Sequence, residues 1–207
     1  MDIFRNNFLP LHNGKINEPK FPHYGIIGYC GKQGSGKSYS AVKLVEDLLN
    51  AYDNICVVSN IPISCDYFYK FTNMKSLINL SANFDGCICL FDEITNLFNN
   101  LDYKNFDTRW FDLINMLRKR HILLIGTCPV FNRINKAFRE QFDYFVDCKN
   151  VTFGKWKFQV NEIYKSTSIS FFDENQFPFE FYKINRFWHK DDIYKMYNSF
   201  EIVRKER

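Results

Sequence analysis

The residues at positions 31–38 have the types and spacing of a loop that binds a triphosphate. The motif G-x-x-x-x-G-K-[ST] is complete in Gly31-Lys32-Gln33-Gly34-Ser35-Gly36-Lys37-Ser38. Its glycines allow the backbone angles that turn successive N–H groups towards one anion. Lys37 offers a mobile positive charge to the β- and γ-phosphates, and the Ser38 hydroxyl offers a ligand to Mg²⁺. We therefore predict that this loop, with the adjoining Tyr39, binds ATP and Mg²⁺.

An acidic pair after an apolar segment supplies a second half for this site. The segment 86–91 is apolar and ends in Asp92-Glu93, which would place both carboxylates at the carboxyl edge of a parallel sheet, beside the phosphate loop. Asp92 would hold Mg²⁺ through water, and Glu93 would orient and polarise the attacking water, as a hydrolase requires. The alternative is that the pair merely caps a helix beginning at Ile94.

Polar residues around the apolar segment 122–127 are further candidates. In a doubly wound sheet the end of this segment lies near the γ-phosphate, so Thr127 is either a phosphate sensor or an ordinary strand-end hydroxyl. One arginine could act as an arginine finger on the ATP of a neighbouring subunit, with Arg139 as the first candidate and Arg120 as the second. The alternative for most of these side chains is a solvated basic face. The arginines concerned are Arg118, Arg120, Arg133 and Arg139.

The elements that must position these residues alternate along the chain. Apolar runs predict buried strands, and apolar residues at helical spacing predict helices, with Phe111, Ile114 and Leu117 inward in the third helix. Such alternation is typical of an α/β fold with a mostly parallel sheet and helices on both faces. The predicted strands are 24–30, 54–59, 86–91, 122–127 and 144–147, and the predicted helices are 38–51, 74–80, 106–120 and 191–204.

After Val151 the pattern changes to alternating aromatic and polar residues, which indicates antiparallel hairpin strands. We therefore divide the chain into an N-terminal arm (1–22), a P-loop ATPase core (23–150) and a small C-terminal extension of β-hairpin and helix (151–207). Within the extension, the stretch 153–158 interleaves lysines with aromatic rings. It could stack bases and follow phosphates, or it could simply be an amphipathic strand.

Composition bounds the possible classes of protein. The chain has 207 residues, 46% of them hydrophobic, which suits one α/β domain with an appendage. Its net charge of +4 does not by itself indicate nucleic-acid binding. Seven cysteines without a Cys-x-x-Cys pair favour buried reduced thiols, Cys87 and Cys89 among them, over a metal site. With no apolar run near the roughly 18 residues that span a bilayer, we expect a soluble, intracellular protein without a membrane span.

Taken together, these motifs resemble the Zot-like (zonula occludens toxin-like) ATPases of the FtsK/HerA group. The likeness covers residues 24 to about 203. It begins with the phosphate loop and continues through Val58-Ser-Asn-Ile-Pro62 and Phe91-Asp-Glu93. The later matching segments are Arg118-Lys-Arg-His, the Thr127 strand, the stretch 131–139 followed by 142–146, and the stretch 193–201.

The resemblance implies a RecA/FtsK-HerA-like fold and a ring, commonly a hexamer, that moves double- or single-stranded DNA through a central pore. It implies capsid or vertex proteins as partners, and the host cytoplasm or the virion as the location. Because filamentous-phage members usually carry a transmembrane helix after the ATPase domain, its absence here favours genome packaging over extrusion. One departure is that Cys128 stands where the family usually has a nucleotide-sensing Gln, whose amide donor and acceptor a thiol cannot replace.

Three other functions remain open at this stage. The first is a filamentous-phage-type assembly ATPase whose membrane anchor lies on another chain. The second is a nucleoside or nucleotide kinase, which shares the phosphate loop. The third is a P-loop scaffold that binds nucleotide without hydrolysing it, an option that the Cys128 departure supports.

Overall fold

The computed structural model describes residues 21–97, 109–166 and 179–197. These residues form one sheet of eight strands, in the order β3-β2-β4-β5-β1-β6-β7-β8. The strands are β1 (Gly25–Cys30), β2 (Ile55–Ser59), β3 (Phe68–Lys70), β4 (Gly86–Phe91), β5 (Ile122–Cys128), β6 (Tyr144–Phe153), β7 (Trp156–Ser166) and β8 (Phe179–Trp188). The helices are α1 (Lys37–Ala51), α2 (Met74–Ser81), α3 (Arg109–Met116), α4 (Lys136–Arg139) and α5 (Asp191–Met196), with short 3₁₀ turns at Ile94–Asn96 and Phe131–Arg133.

Strands β1 to β6 are parallel, which confirms the expected α/β class with a mostly parallel sheet. β5 lies between β1 and β4, so the strand before the phosphate loop and the strand before the acidic pair are not neighbours. Their carboxyl ends nevertheless share one edge of the sheet, with the end of β5 between them. This edge gathers the phosphate loop, the acidic pair and Thr127.

The sheet separates two apolar layers, as the alternation of side chains along each strand requires. On one face, α1 packs through Val42, Val45 and Leu48 against strand residues such as Ile27, and α5 contributes Ile193. On the other face, α2, α3 and α4 contribute Leu77, Leu113 and Phe138. Helices therefore cover both faces, as predicted.

Some predicted elements differ in detail from the structure. The inward residues of α3 and its C-terminal turn are Trp110, Leu113 and Leu117, while Phe111 and Ile114 are only half-buried. Leu117 is therefore inward as predicted, and the half-buried Ile114 also packs against this core. Phe111 lies at the margin of the inward face, because positions 110, 113, 114 and 117 are the ones that face the sheet. The short edge strand β3 was not predicted. The expected helical residues 106–108 and 198–204, and the arm up to residue 20, lie outside the described residues.

The antiparallel extension continues the main sheet. β6 runs ten residues, past the predicted end at Asp147 and through the expected domain boundary at Asn150, and then pairs antiparallel with β7, which pairs antiparallel with β8. Gly154, in the two-residue turn between β6 and β7, has a φ of 58° in the left-handed region that glycine favours. The division into domains stays a prediction.

The cysteines, the potential metal ligands and the helices of the described ranges each add one observation. All seven cysteines are free thiols, six of them buried and Cys65 half-buried. The side chains described show no group of three or more His, Cys, Asp or Glu residues that could hold a metal ion. None of the helices within 21–97, 109–166 and 179–197 is long and apolar enough to cross a membrane.

A cluster at the amino edge of the sheet leads to a prediction about pH. Phe21, His23 and Tyr52 pack edge to face, and His23 Nε2 lies 2.9 Å from the Tyr52 hydroxyl. Burial lowers the pKa of His23 from 6.5 to about 4. Between pH 6.5 and 4, His23 is therefore protonated in the unfolded chain and neutral in the folded chain. The free energy of unfolding consequently falls as the pH drops from 6.5 towards 4.

In the wild type, His23 accounts for a loss of at most about 3 kcal/mol in the free energy of unfolding over this pH range. We expect this part of the loss to be absent in His23→Gln, whose side chain does not titrate. Urea unfolding at a series of pH values measures the effect. Parallel stability curves for the variant and the wild type between pH 6.5 and 4 would show that His23 is not the responsible group.

Candidate functional site

The phosphate loop has the predicted position, between the end of β1 at Cys30 and the start of α1 at Lys37. Gly31, Gly34 and Gly36 have φ values of 144°, 78° and 83°, which residues with a side chain rarely adopt. Gly36 is the N-cap of α1, and Ser35 N donates to Lys32 O to close the turn. The loop thus directs the N-terminus of a fifteen-residue helix, with its unpaired N–H groups and positive dipole end, towards an anion.

The Lys37 ammonium group lies over the phosphate loop, where it could contact a bound phosphate. This group is exposed and donates to Lys32 O at 3.0 Å, across the same loop. The charge therefore lies beside the helix N-terminus, and both favour the same ligand, a chain of phosphates.

The acidic pair lies directly beside the loop. Ser38 Oγ donates to Asp92 Oδ1 at 2.7 Å, and Thr127 Oγ1 donates to the same carboxylate oxygen at 2.7 Å. Thr127 thereby fixes the end of β5 to the acidic pair after β4, and Ser38 fixes the phosphate loop to the same carboxylate. A hydroxyl and a carboxylate at this distance are the hard oxygen donors that Mg²⁺ prefers, so Ser38 and Asp92 fit the predicted metal.

Glu93 is held in an unusual backbone conformation next to Asp92. Its φ of 56° is left-handed, which is uncommon for a residue with a side chain. Its N–H donates to Thr127 Oγ1 at 2.9 Å, and its carboxylate accepts from Thr95 Oγ1 at 2.7 Å. Backbone strain of this kind persists only where surrounding contacts impose it, and it is concentrated at functional sites. The contacts aim a half-buried carboxylate at the same edge as the loop.

Asn60 is a positioning residue that the sequence reasoning missed. It follows β2, the neighbour of β4, and makes two hydrogen bonds to the main chain of Asp92, one to its carbonyl and one from its N–H, both at 2.8 Å. These bonds fix the backbone that carries the carboxylate. The available signal was the polar pair Ser59-Asn60 at the end of an apolar strand, similar to the pattern that identified Asp92.

Gln159 of β7 is a second missed residue, and it supports the phosphate loop itself. Its side chain is fully buried, and Nε2 donates to Ser35 O at 2.9 Å and to Asn161 Oδ1 at 2.8 Å. Asn161 also accepts from Ser40 Oγ of α1. A Cβ atom on Gly36 would lie 2.0 Å from Gln159 Oε1. The C-terminal extension is therefore packed directly against the loop, and two polar residues on the inward face of a strand were the signal.

The hydrogen-bond chain continues from Gln159 to the last helix. Burial, aided by the charge of Lys157, lowers the pKa of His189 to about 4, so its ring is neutral at pH 7. His189 Nε2 lies 3.0 Å from Gln159 Oε1, an acceptor, so Nε2 carries the proton and Nδ1 accepts from the Tyr194 hydroxyl. The ring stacks on Tyr39 with centroids 3.8 Å apart.

The structure separates several predicted residues from this group. The Tyr39 side chain packs into the extension, where its hydroxyl accepts from Lys190 N, so only its main chain is near the loop. Cys128 is buried beside Cys30, with the two sulfur atoms 2.7 Å apart, on the face of β5 opposite to Thr127. The Cys128 thiol is thus part of the core.

Two of the arginine candidates, Arg118 and Arg120, lie apart from the loop. Arg120 is exposed and precedes β5, at the amino edge of the sheet and therefore opposite to the phosphate loop. Its neighbour Arg118 lies over the Tyr24 ring at the same edge. Arg139 donates to Asn132 Oδ1 at 3.1 Å within its own segment. A role for Arg139 or Arg120 on another subunit's nucleotide stays a prediction.

We expect Asn60→Ala to lower ATP turnover by roughly ten- to a hundredfold, because a small displacement of the Asp92 carboxylate misplaces the reacting groups. The Mg²⁺ concentration for half-maximal activity should rise, whereas ATP binding without Mg²⁺ should stay unchanged. Steady-state kinetics across a Mg²⁺ series and equilibrium binding separate these effects. Unchanged Mg²⁺ dependence would mean that Asn60 does not position Asp92.

We expect Gln159→Leu to weaken ATP binding and to lower the free energy of unfolding by about 1–3 kcal/mol, since Ser35 O loses its buried donor. Asn150→Leu is the matched control, because Asn150 is the cross-strand partner of Gln159 and its Oδ1 has no hydrogen bond within the described residues. Titration calorimetry and thermal unfolding measure both properties. Equal ATP affinity in the two variants would contradict the supporting role.

Comparisons with known proteins give the fold of this chain. No family model and no curated protein matches it. The N-terminal domain of zonular occludens toxin from Neisseria meningitidis is similar over 85% of this chain and 100% of that domain, with 12% identity and a TM-score of 0.53. B204, the DNA-packaging ATPase from Sulfolobus turreted icosahedral virus, is similar over 61% of this chain and 76% of that protein, with 14% identity and a TM-score of 0.49. With its phosphate loop and acidic strand end in one site, the chain has the P-loop NTPase fold that is also found in the zonular occludens toxin domain.

Proposed function

We propose that this chain hydrolyses ATP and uses the energy to move DNA during the assembly of virus particles. The observation that carries the proposal is the 2.7 Å contact between Ser38 Oγ and Asp92 Oδ1, with Glu93 fixed at the same edge of the sheet. It unites the phosphate-binding half of the site with a carboxylate pair suited to hydrolysis. A loop that only bound phosphate would not require this arrangement.

The residues of the chain divide the work of hydrolysis. The loop and the N-terminus of α1 bind the phosphates, and Lys37 balances their negative charge. Ser38 and Asp92 would hold Mg²⁺, which when bound neutralises charge on the β- and γ-phosphates. Thr127 keeps Asp92 and Glu93 in register by donating to the carboxylate of one and accepting from the N–H of the other.

Glu93 is the residue that acts on water. Its carboxylate is half-buried and anchored through one oxygen by Thr95, which leaves the second oxygen to orient a water molecule for attack on the γ-phosphorus. A kinase must instead exclude water from this position. The anchored glutamate is therefore the feature that favours ATP hydrolysis over phosphoryl transfer to a nucleoside.

The sequence resemblance to the Zot-like and FtsK/HerA ATPases supports DNA as the moved partner and a hexameric ring as the working assembly. Packaging of a genome into a capsid is the version that we propose, with capsid or vertex proteins as partners. In such a ring, the exposed Arg120 at the amino edge can act only on the nucleotide of another subunit, and Arg139 is the first candidate for the arginine finger.

We expect Glu93→Gln to lower ATP hydrolysis about a hundredfold or more while ATP binding is retained, because the amide cannot accept the proton of the attacking water. The wild-type rate should rise when DNA is added. Phosphate release with and without DNA measures both effects, and Glu140→Gln, an exposed glutamate in the turn after α4, is the matched control.

Two results would oppose the proposal. A wild-type rate that does not respond to DNA, in a chain that remains monomeric, would remove the translocase function. Transfer of the γ-phosphate from ATP to an added nucleoside would identify a kinase instead.

A further inference from the structure

The far end of the antiparallel extension presents a group of open aromatic rings. Phe153 pairs with Trp156 across the β6–β7 turn, and Phe158 pairs with Trp188 across β7 and β8, so the four side chains share one face. Their rings are neighbours, with Phe158–Trp188 centroids 4.8 Å apart and Trp156–Trp188 and Phe153–Trp188 centroids 6.5 Å apart. We name these four residues the aromatic tip.

Three of the four rings of the aromatic tip are exposed, and Phe158 is half-buried between them. Phe153 is 58% exposed, Trp156 65% and Trp188 52%. Large aromatic side chains contribute most when buried, and a contiguous exposed group of them marks a surface that binds a partner. Strands that needed only amphipathic alternation would not require an exposed tryptophan on each of β7 and β8.

The aromatic tip stands on the same edge of the sheet as the nucleotide site. β6 is parallel to β1, and Asp147 pairs with Cys30, the last residue before the phosphate loop. Phe153 is a further six residues along β6, which places the tip about 20 Å beyond that pairing. The hairpin thus projects past the end of β1 on the side where ATP would bind.

Charge at this end of the extension is of one sign. Segments 148–161 and 181–190, which form the outer part of the three strands and the residues after β8, contain no acidic residue. Lys149 pairs with Asp147 and Glu162 at the base of the surface. This segregation occurs in a chain whose 27 basic and 23 acidic residues otherwise nearly balance. The basic residues of the two segments are Lys149, Lys155, Lys157, Lys183, Arg186 and Lys190.

We propose that the aromatic tip binds single-stranded nucleic acid, with bases stacked on Trp156 and Trp188 and phosphates beside Lys155 in the turn and Arg186 on the same face of β8. Exposed rings on a basic surface are the combination by which proteins hold single strands without reading sequence, because every base has a face that stacks. A duplex hides its base faces and offers only phosphates. The inference deepens the proposed function and rests on it for the identity of the strand as DNA.

The same strands connect the aromatic tip to the phosphate loop. Phe158 and Trp188 point to the open face, and the next residues, Gln159 and His189, point to the opposite face. Gln159 donates to Ser35 O, and His189 lies within hydrogen-bond distance of Gln159. A nucleic-acid strand bound on one face of the hairpin would therefore lie directly behind the residues that support the loop on the other face.

The test is fluorescence anisotropy of a labelled oligothymidylate of about 20 nucleotides, titrated with the full chain in the absence of ATP. We expect Trp156→Ala and Trp188→Ala each to weaken binding about tenfold, and Trp156→Phe to retain most of the affinity because its ring still stacks. Lys155→Glu should weaken binding and reduce its salt dependence. Tyr67→Ala is the control, since Tyr67 is 49% exposed and lies at the opposite, β3 edge of the sheet.

Three outcomes would overturn the inference. They are equal affinity of the wild type and both tryptophan variants, equally tight tip-dependent binding of a duplex of the same length, and loss of self-association with unchanged oligonucleotide binding. The last outcome would assign the tip to a contact between copies of the chain.

The proposed function is tested separately. Glu93→Gln should bind the oligonucleotide as the wild type does. If the chain does not hydrolyse ATP but binds the oligonucleotide through the tip, only the proposed ATPase function is wrong. If it hydrolyses ATP but does not bind the oligonucleotide, only the role of the aromatic tip is wrong.

Discussion

The carboxylate of Asp92 is the point on which the site depends. One of its oxygens accepts from Ser38, the last residue of the phosphate loop, and from Thr127, at the end of an intervening strand. Three strands that are distant in sequence are thereby fixed at one edge of the sheet. Each of these bonds involves a charged acceptor and is partly shielded from water, so it is stronger than a neutral surface bond. Without this contact, the phosphate loop and the acidic pair would be two separate features.

The same carboxylate is supported from a fourth strand. Asn60 satisfies both main-chain groups of Asp92, and Thr127 satisfies the N–H of Glu93, so the left-handed backbone at Glu93 is imposed by neighbours rather than by its own preference. A site built in this way has little freedom to rearrange. This rigidity suits chemistry that depends mainly on positioning charges around a phosphoryl group.

The C-terminal extension is part of the site's support. Gln159 and Asn161 bury polar side chains under the phosphate loop, which would be costly if they were not satisfied by Ser35, Ser40 and each other. His189 extends the network to Tyr194 of α5. The same β-strands carry exposed aromatic rings on their other face. If nucleic acid binds these rings as proposed, the extension would connect it to the residues that hold the phosphate loop.

The sequence alone determined the parts that follow from local patterns. Short motifs predicted the phosphate loop and the strand ending in Asp92-Glu93, and apolar periodicity predicted the α/β class. Both kinds of signal depend only on neighbours along the chain. Only the tertiary structure decided four other features. They are the inward face of α3, the supporting contacts of Asn60 and Gln159, the place of Cys128 in the core, and the position of Arg120 at the opposite edge of the sheet. These features depend on which strands become neighbours, and β5 inserted between β1 and β4 is a pairing that no local pattern specifies.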